Sequence, residues 1–130
     1  LLGDTSFIID VMMNDEGAVR KAKELAEGST PILVGTPTIF ELYVGVSLSS
    51  KAFEERGKIL DVLVSVTQLP LDAASAVRGG IIYGQKVKEG RKIDPEDAML
   101  AGIAIENNQP LLTRNKRDFI GIQGLKVETY

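Results

Sequence analysis

Acidic or amide side chains at four widely separated places are the groups in this sequence that could do chemistry: Asp4, Glu41, Asp97, and Asn115 with Asp118. Glu41 is the most conspicuous, being the only Asp, Glu, Lys or Arg from Gly28 to Ser50 although a quarter of the chain is charged. An unpaired carboxylate in so apolar a setting would face a steep desolvation cost and take up a proton. The chain has no histidine and no cysteine. That excludes a Ser-His-Asp triad, imidazole acid–base pairs, thiolate metal sites and disulfides. Catalysis therefore falls to carboxylates, Lys, Tyr, hydroxyls, or a metal that such groups hold. Two carboxylates about 4 Å apart repel by roughly 4 kcal/mol at an effective dielectric near 20. Gathered together, these acids need either raised pKa values or a cation between them. Oxygen donors suit Mg²⁺ or Mn²⁺, and a hard cation that keeps water in its shell is a recurrent means of hydrolysing phosphodiesters.

The elements that must position them follow from the hydrophobic pattern. At 130 residues, with 44% apolar and 25% charged residues, the expectation is one domain over 1–130. Short apolar runs alternate with segments of helical period. "LLGDT" reads as a strand ending near Asp4, "SFIIDVMM" as a short helix, and "EGAVRKAKELAEG" as a surface helix stopped by Gly28. "PILVG" (31–35) reads as a buried strand. A helix over roughly 37–48 follows, with Thr36 as its cap and Pro37 at its first position. The chain goes on as an amphipathic helix in "KAFEERGKILDVLVSV" with Ile59, Leu60, Leu63 and Val64 inward, "TQLP" is a short strand, and a helix runs from Asp72 toward Gly90. "DPEDAMLAGIAIENN" starts with Asp94 as N-cap and stops at Asn107–Asn108; "PLLT" (110–113), the turn "RNKRDF" and "KVETY" complete the chain. The alternation predicts a three-layer α/β/α fold with a mainly parallel sheet. In such a fold the helix after each strand starts at the sheet's carboxyl edge, where ligands bind. Asp4, Glu41, Asp97 and the 115–118 turn all fall on that edge.

In order and spacing, "LLGDTSFIID", "TPTIFELYVGV", "GRKIDPEDAMLAGIAIENNQPLLTRNKRDF" and "GLKVETY" resemble the PIN-domain family, in particular VapC-like toxins of prokaryotic toxin–antitoxin pairs. The resemblance implies a Mg²⁺- or Mn²⁺-dependent endoribonuclease whose carboxylate cluster here would be Asp4, Glu41 and Asp97. The fourth position departs from the pattern, with Asn115 where many members have Asp and Asp118 three residues later, so either can fill it. The resemblance also implies Thr5 and Ser6 as residues that orient Asp4, a homodimer, and a small antitoxin that covers the site.

Plainer roles are expected elsewhere. Asp10 reads as a solvated surface acid, and Lys86, Lys88, Arg91 and Lys92 as solvated charge. Arg114, Lys116 and Arg117 read the same way, unless the acidic edge is the active site, where they would contact RNA phosphates. Gly79, Gly80 and Gly84 read as a close helix-packing seam. Asp97, three residues after Asp94, also suits a capping box. No membrane span or signal-like leader is read, which makes the cytoplasm the expected location, and a start at Leu1 implies a missing first residue. Competing functions are a PIN nuclease of RNA processing, a non-catalytic PIN-like scaffold, and an aspartyl-phosphate enzyme or receiver built on Asp4. The last is disfavoured because Ser6 stands where a haloacid-dehalogenase-type phosphotransferase needs a second Asp.

Overall fold

The computed structural model describes residues 1–130. Five short strands, β1 (Leu2–Gly3), β2 (Leu33–Gly35), β3 (Thr67–Leu69), β4 (Leu111–Leu112) and β5 (Val127–Glu128), form one sheet in the order β3-β2-β1-β4-β5. Every pairing is parallel. The helices are α1 (Thr5–Met12), α2 (Glu16–Glu27), α3 (Thr36–Leu48), α4 (Ala52–Val64), α5 (Ala73–Lys88) and α6 (Pro95–Glu106), with a 3₁₀ turn at Lys116–Phe119. The expected α/β fold with a parallel sheet is observed. The period-2 alternation of strand side chains splits the core in two. Leu1, Val34 and Leu112 join Phe7, Ile8, Leu42 and Ile59 under α1–α4. Leu2 and Leu111 join Leu100, Ile103 and Phe119 under α5 and α6.

The strand order reverses between β1 and β4, and the main chain just beyond them stays paired: Asp4 N donates to Leu112 O at 3.0 Å. This switch point is where an open α/β sheet leaves a crevice at its carboxyl edge. The start of α6 is brought there by a tight crossing with α5. A Cβ on Gly102 would stand 2.4 Å from Ser75 O, and one on Gly79 would stand 3.0 Å from Ala98 O. Gly79 therefore belongs to the expected seam, with Gly102 as its partner. Gly80 and Gly84 do not, since a Cβ on either would meet nothing.

Two local expectations are corrected. Gly35, not Thr36, is the cap residue of α3, and Thr36 Oγ1 instead accepts from Leu71 N at 3.0 Å, joining the ends of β2 and β3. Ser49 turns extended after α3, and the amphipathic helix expected next is α4. Its buried side is Ile59 with Val62 and Leu63, while Leu60 and Val64 are exposed. At 100° per residue those two lie well round from Ile59 on the side away from Val62, beyond the stripe that meets the sheet.

Candidate active site

Asp4 follows β1 directly and caps α1, its Oδ1 accepting from Phe7 N at 2.9 Å and from Ser6 Oγ at 2.6 Å. The side chain is buried, yet Oδ2 accepts nothing from the protein. Ser6 orients Asp4, as the resemblance implies, but Thr5 serves another acid. Thr5 Oγ1 donates to Glu41 Oε1 at 2.7 Å and lies 3.0 Å from the hydroxyl oxygen of fully buried Thr38. Glu41 is thus held to the start of α1 rather than left loose on α3.

Burial is the main force raising the Glu41 pKa, with Glu96, Asp4 and Asp94 adding to it and the Thr5 hydrogen bond opposing it. Asp97, in the first turn of α6, is pushed up to about 7, first by burial and then by Asp4, Asp94, Glu41 and Asp118. The acids predicted on separate segments therefore sense one another, and Asp94 and Glu96 join them. Asp94 is the N-cap residue of α6 by backbone, but its side chain makes no cap hydrogen bond, so the capping box does not form. With Glu96 it instead raises the negative charge of the edge. Sequence spacing carried that signal in "DPED", where acids crowd a helix start.

No Lys or Arg forms an ion pair with Asp4, Glu41, Asp94, Glu96, Asp97 or Asp118. No three of these acids converge tightly enough to enclose an ion. Two of them are held back to α1, Asp4 by Ser6 and Phe7 N and Glu41 by Thr5. The donor set itself fits a hard divalent cation: oxygen only, partly desolvated, net negative, with a free Asp4 Oδ2. Asn115 and Asp118 flank this edge on an exposed turn, where Asn115 N donates to Thr113 Oγ1 at 2.9 Å.

Asp10 is a correction. It is buried, with Arg114 Nη1 donating to its two oxygens at 2.8 and 3.1 Å and Tyr130 donating its hydroxyl at 2.6 Å. Burial, then the bond to Asp10, hold the Tyr130 hydroxyl protonated well above its usual range. Arg114 and Tyr130 lie more than a hundred residues downstream, so the sequence near Asp10 carried no sign of them. Lys86 is likewise buried rather than solvated, its ammonium donating to the Ile120 carbonyl and tying the 114–120 turn to α5. Lys116 and Arg117 are exposed and unpaired.

No helix is long and apolar enough to cross a membrane. Beside Glu41 lies an open groove of about 390 Å³ between α1, α3 and α4, lined in part by Ile9, Met13, Glu54 and Lys58.

The PIN domain model matches residues 1–124. A curated relative from Shigella flexneri, named tRNA(fMet)-specific endonuclease VapC, is 28% identical over 127 residues, covering 98% of this chain and 95% of its own. A relative of the same name from Salmonella typhimurium is 26% identical over 128 residues, with the same coverage. In fold, the chain matches the VapBC2 complex of Rickettsia felis, solved on a promoter DNA fragment, with a TM-score of 0.90 at 22% identity, over 99% of this chain and 97% of that one. With a model match over nearly its whole length and an acid-lined switch point where the motifs place it, this chain belongs to the PIN domain family.

Proposed function

We propose that the protein is a divalent-metal-dependent endoribonuclease of the cytoplasm and the toxin member of a toxin–antitoxin pair. The observation that carries this is the cluster of partly desolvated acids at the switch point, with no basic partner and with Asp97 pushed up to about 7. Asp4, Glu41 and Asp97 would hold Mg²⁺ or Mn²⁺, with Asn115 or Asp118 as a further donor. When bound, such a cation supplies the charge that lowers the pKa of water for attack on phosphorus and offsets the charge developing there. The chain's own residues set the geometry. Ser6 and Phe7 N fix Asp4 through one oxygen and leave the other free, while Thr5 fixes Glu41. Asp118, exposed on the turn at the lip of the site, would be a further catalytic acid. Lys116 and Arg117, with Arg114, supply phosphate contacts. tRNA is the first substrate to test, because the curated relatives are named for it.

The partner reading rests on surface chemistry together with the likeness in fold to the VapBC2 complex of Rickettsia felis. Ile9 and Met13 are exposed on α1, where they line the groove that opens beside Glu41. Apolar exposure of that kind marks a protein interface, and an antitoxin laid there would cover the acids. A second apolar row, Val77 and Ile81 on α5, supports a homodimer, which light scattering of the purified chain tests.

Cleavage of end-labelled tRNA is the test of activity. The parent should cut in Mg²⁺ or Mn²⁺ and stop in EDTA. Asp4→Asn should lose about 100-fold or more, since even partners one bond removed from a metal cost 10–100-fold. Asn still caps α1, so its melting temperature should stay near the parent's. Equal cutting by parent and variant, or cutting unaffected by EDTA, overturns the reading. A parent inert toward RNA and metal alike favours the scaffold, which the departure at Asn115 also fits.

A further inference from the structure

Arg114 is the cation whose placement relative to the acids the fold determines. It follows Thr113 at the end of β4, and its main-chain N donates to Ser6 Oγ at 3.3 Å, the hydroxyl that itself donates to Asp4 at 2.6 Å. Its side chain turns back along α1 to Asp10, and only Nη1 is used there. Nη1 lies on the Cδ side of the guanidinium, so the opposite edge, Nε with Nη2, keeps both donors free. That edge is the fork that binds a phosphate by two parallel hydrogen bonds. The side chain is 57% exposed. Asp10 is in turn fixed from the other side by Tyr130, whose ring packs edge-on against Phe7 with centroids 5.1 Å apart. An RNA strand drawn to an edge this acidic needs a cation held in one place, and a free Arg on a loop would lose side-chain entropy on binding.

We propose that Asp10 and Tyr130 are positioning residues that hold Arg114 at the rim of the acidic cluster, with its Nε–Nη2 edge available to a phosphate of the RNA. This rests on the ribonuclease reading and names one of its substrate contacts and what holds it. The test is binding of a fluorescein-labelled single-stranded RNA in EDTA across a salt series, alongside KM and kcat for cleavage in Mn²⁺. Parent, Arg114→Gln, Asp10→Asn, Tyr130→Phe and the surface control Arg20→Gln are compared at a temperature where thermal melts show all of them folded. Arg114→Gln should raise Kd and KM about tenfold, leave kcat within about twofold, and lower the salt slope by about 0.7, one phosphate's share on a single strand. Asp10→Asn removes a negative charge, so electrostatics alone would tighten RNA binding; the positioning role requires it to weaken, about threefold to tenfold. Tyr130→Phe, which changes no charge, should shift KM in the same direction. Where Asp10→Asn does not fold, Tyr130→Phe decides. If the parent cuts RNA but Asp10→Asn binds it as tightly or more tightly, or Tyr130→Phe leaves KM unchanged, the positioning role is wrong and the ribonuclease reading stands. A parent that neither binds nor cuts RNA removes both.

Discussion

Asp10 and Asp97 are carboxylates of one chain, both withdrawn from water, and the fold treats them in opposite ways. Asp10 receives an arginine, a tyrosine hydroxyl and nothing of like charge among its bonded partners. Asp97 receives no ion-pair partner and a surround of other acids, and its pKa is pushed up to about 7. The first is the ordinary solution for a buried charge. Because the fold supplies that solution to Asp10, the arrangement at Asp97 is not a general failure to pair acids. On the proposed reading it is stability given up where a cation from solution would restore it, as active sites commonly do.

The contrast is broken most directly at Asp97. Asp97→Asn should lower RNA cleavage by about 100-fold or more, measured as kcat/KM in Mn²⁺. The paired acid should respond in stability instead. Asp10→Ala removes charge-assisted bonds to Arg114 and Tyr130 and should cost about 1.5–3 kcal/mol in urea unfolding.

Asp97→Asn should have the reverse sign in stability when no metal is present. A carboxyl with a folded pKa of about 7 and an unfolded one near 3.8 binds its proton more tightly in the folded state. The parent should therefore lose stability as pH rises from about 4 to about 7, and the loss should then level off. Asn carries no such slope. At pH 8 the variant should be more stable by about 1–2 kcal/mol, allowing for the carboxyl's partial exposure. Adding Mn²⁺ should stabilise the parent and not the variant. The smallest effect is expected at Thr5→Val, which leaves every acid in place but frees Glu41; about tenfold lower activity would show that holding Glu41 matters.

The residues that were legible in the sequence are those whose meaning is local. "LLGD" and "PLLT" each show a buried strand with a polar end, and Pro95 after Asp94 marks a helix start, so Asp4, Asp97 and the 115–118 turn could be assigned to one edge. What was not legible depends on where distant segments dock. Asp10 looked solvated because its neighbours in sequence are helical and its partners are at 114 and 130. Lys86 looked solvated because the carbonyl that receives it belongs to Ile120. Leu60 and Val64 looked inward because apolar residues crowd one end of α4, and only the packing shows which stripe meets the sheet. The Thr5 bond to Glu41 needs α1 beside α3, which no motif states.

Isothermal titration of Mn²⁺ into the parent, Asp4→Asn, Asp97→Asn and Asp10→Asn tests the central claim most directly. The account predicts a binding isotherm in the parent and in Asp10→Asn that is lost in Asp4→Asn and Asp97→Asn. No binding to the parent, or equal binding by all four proteins, would contradict it.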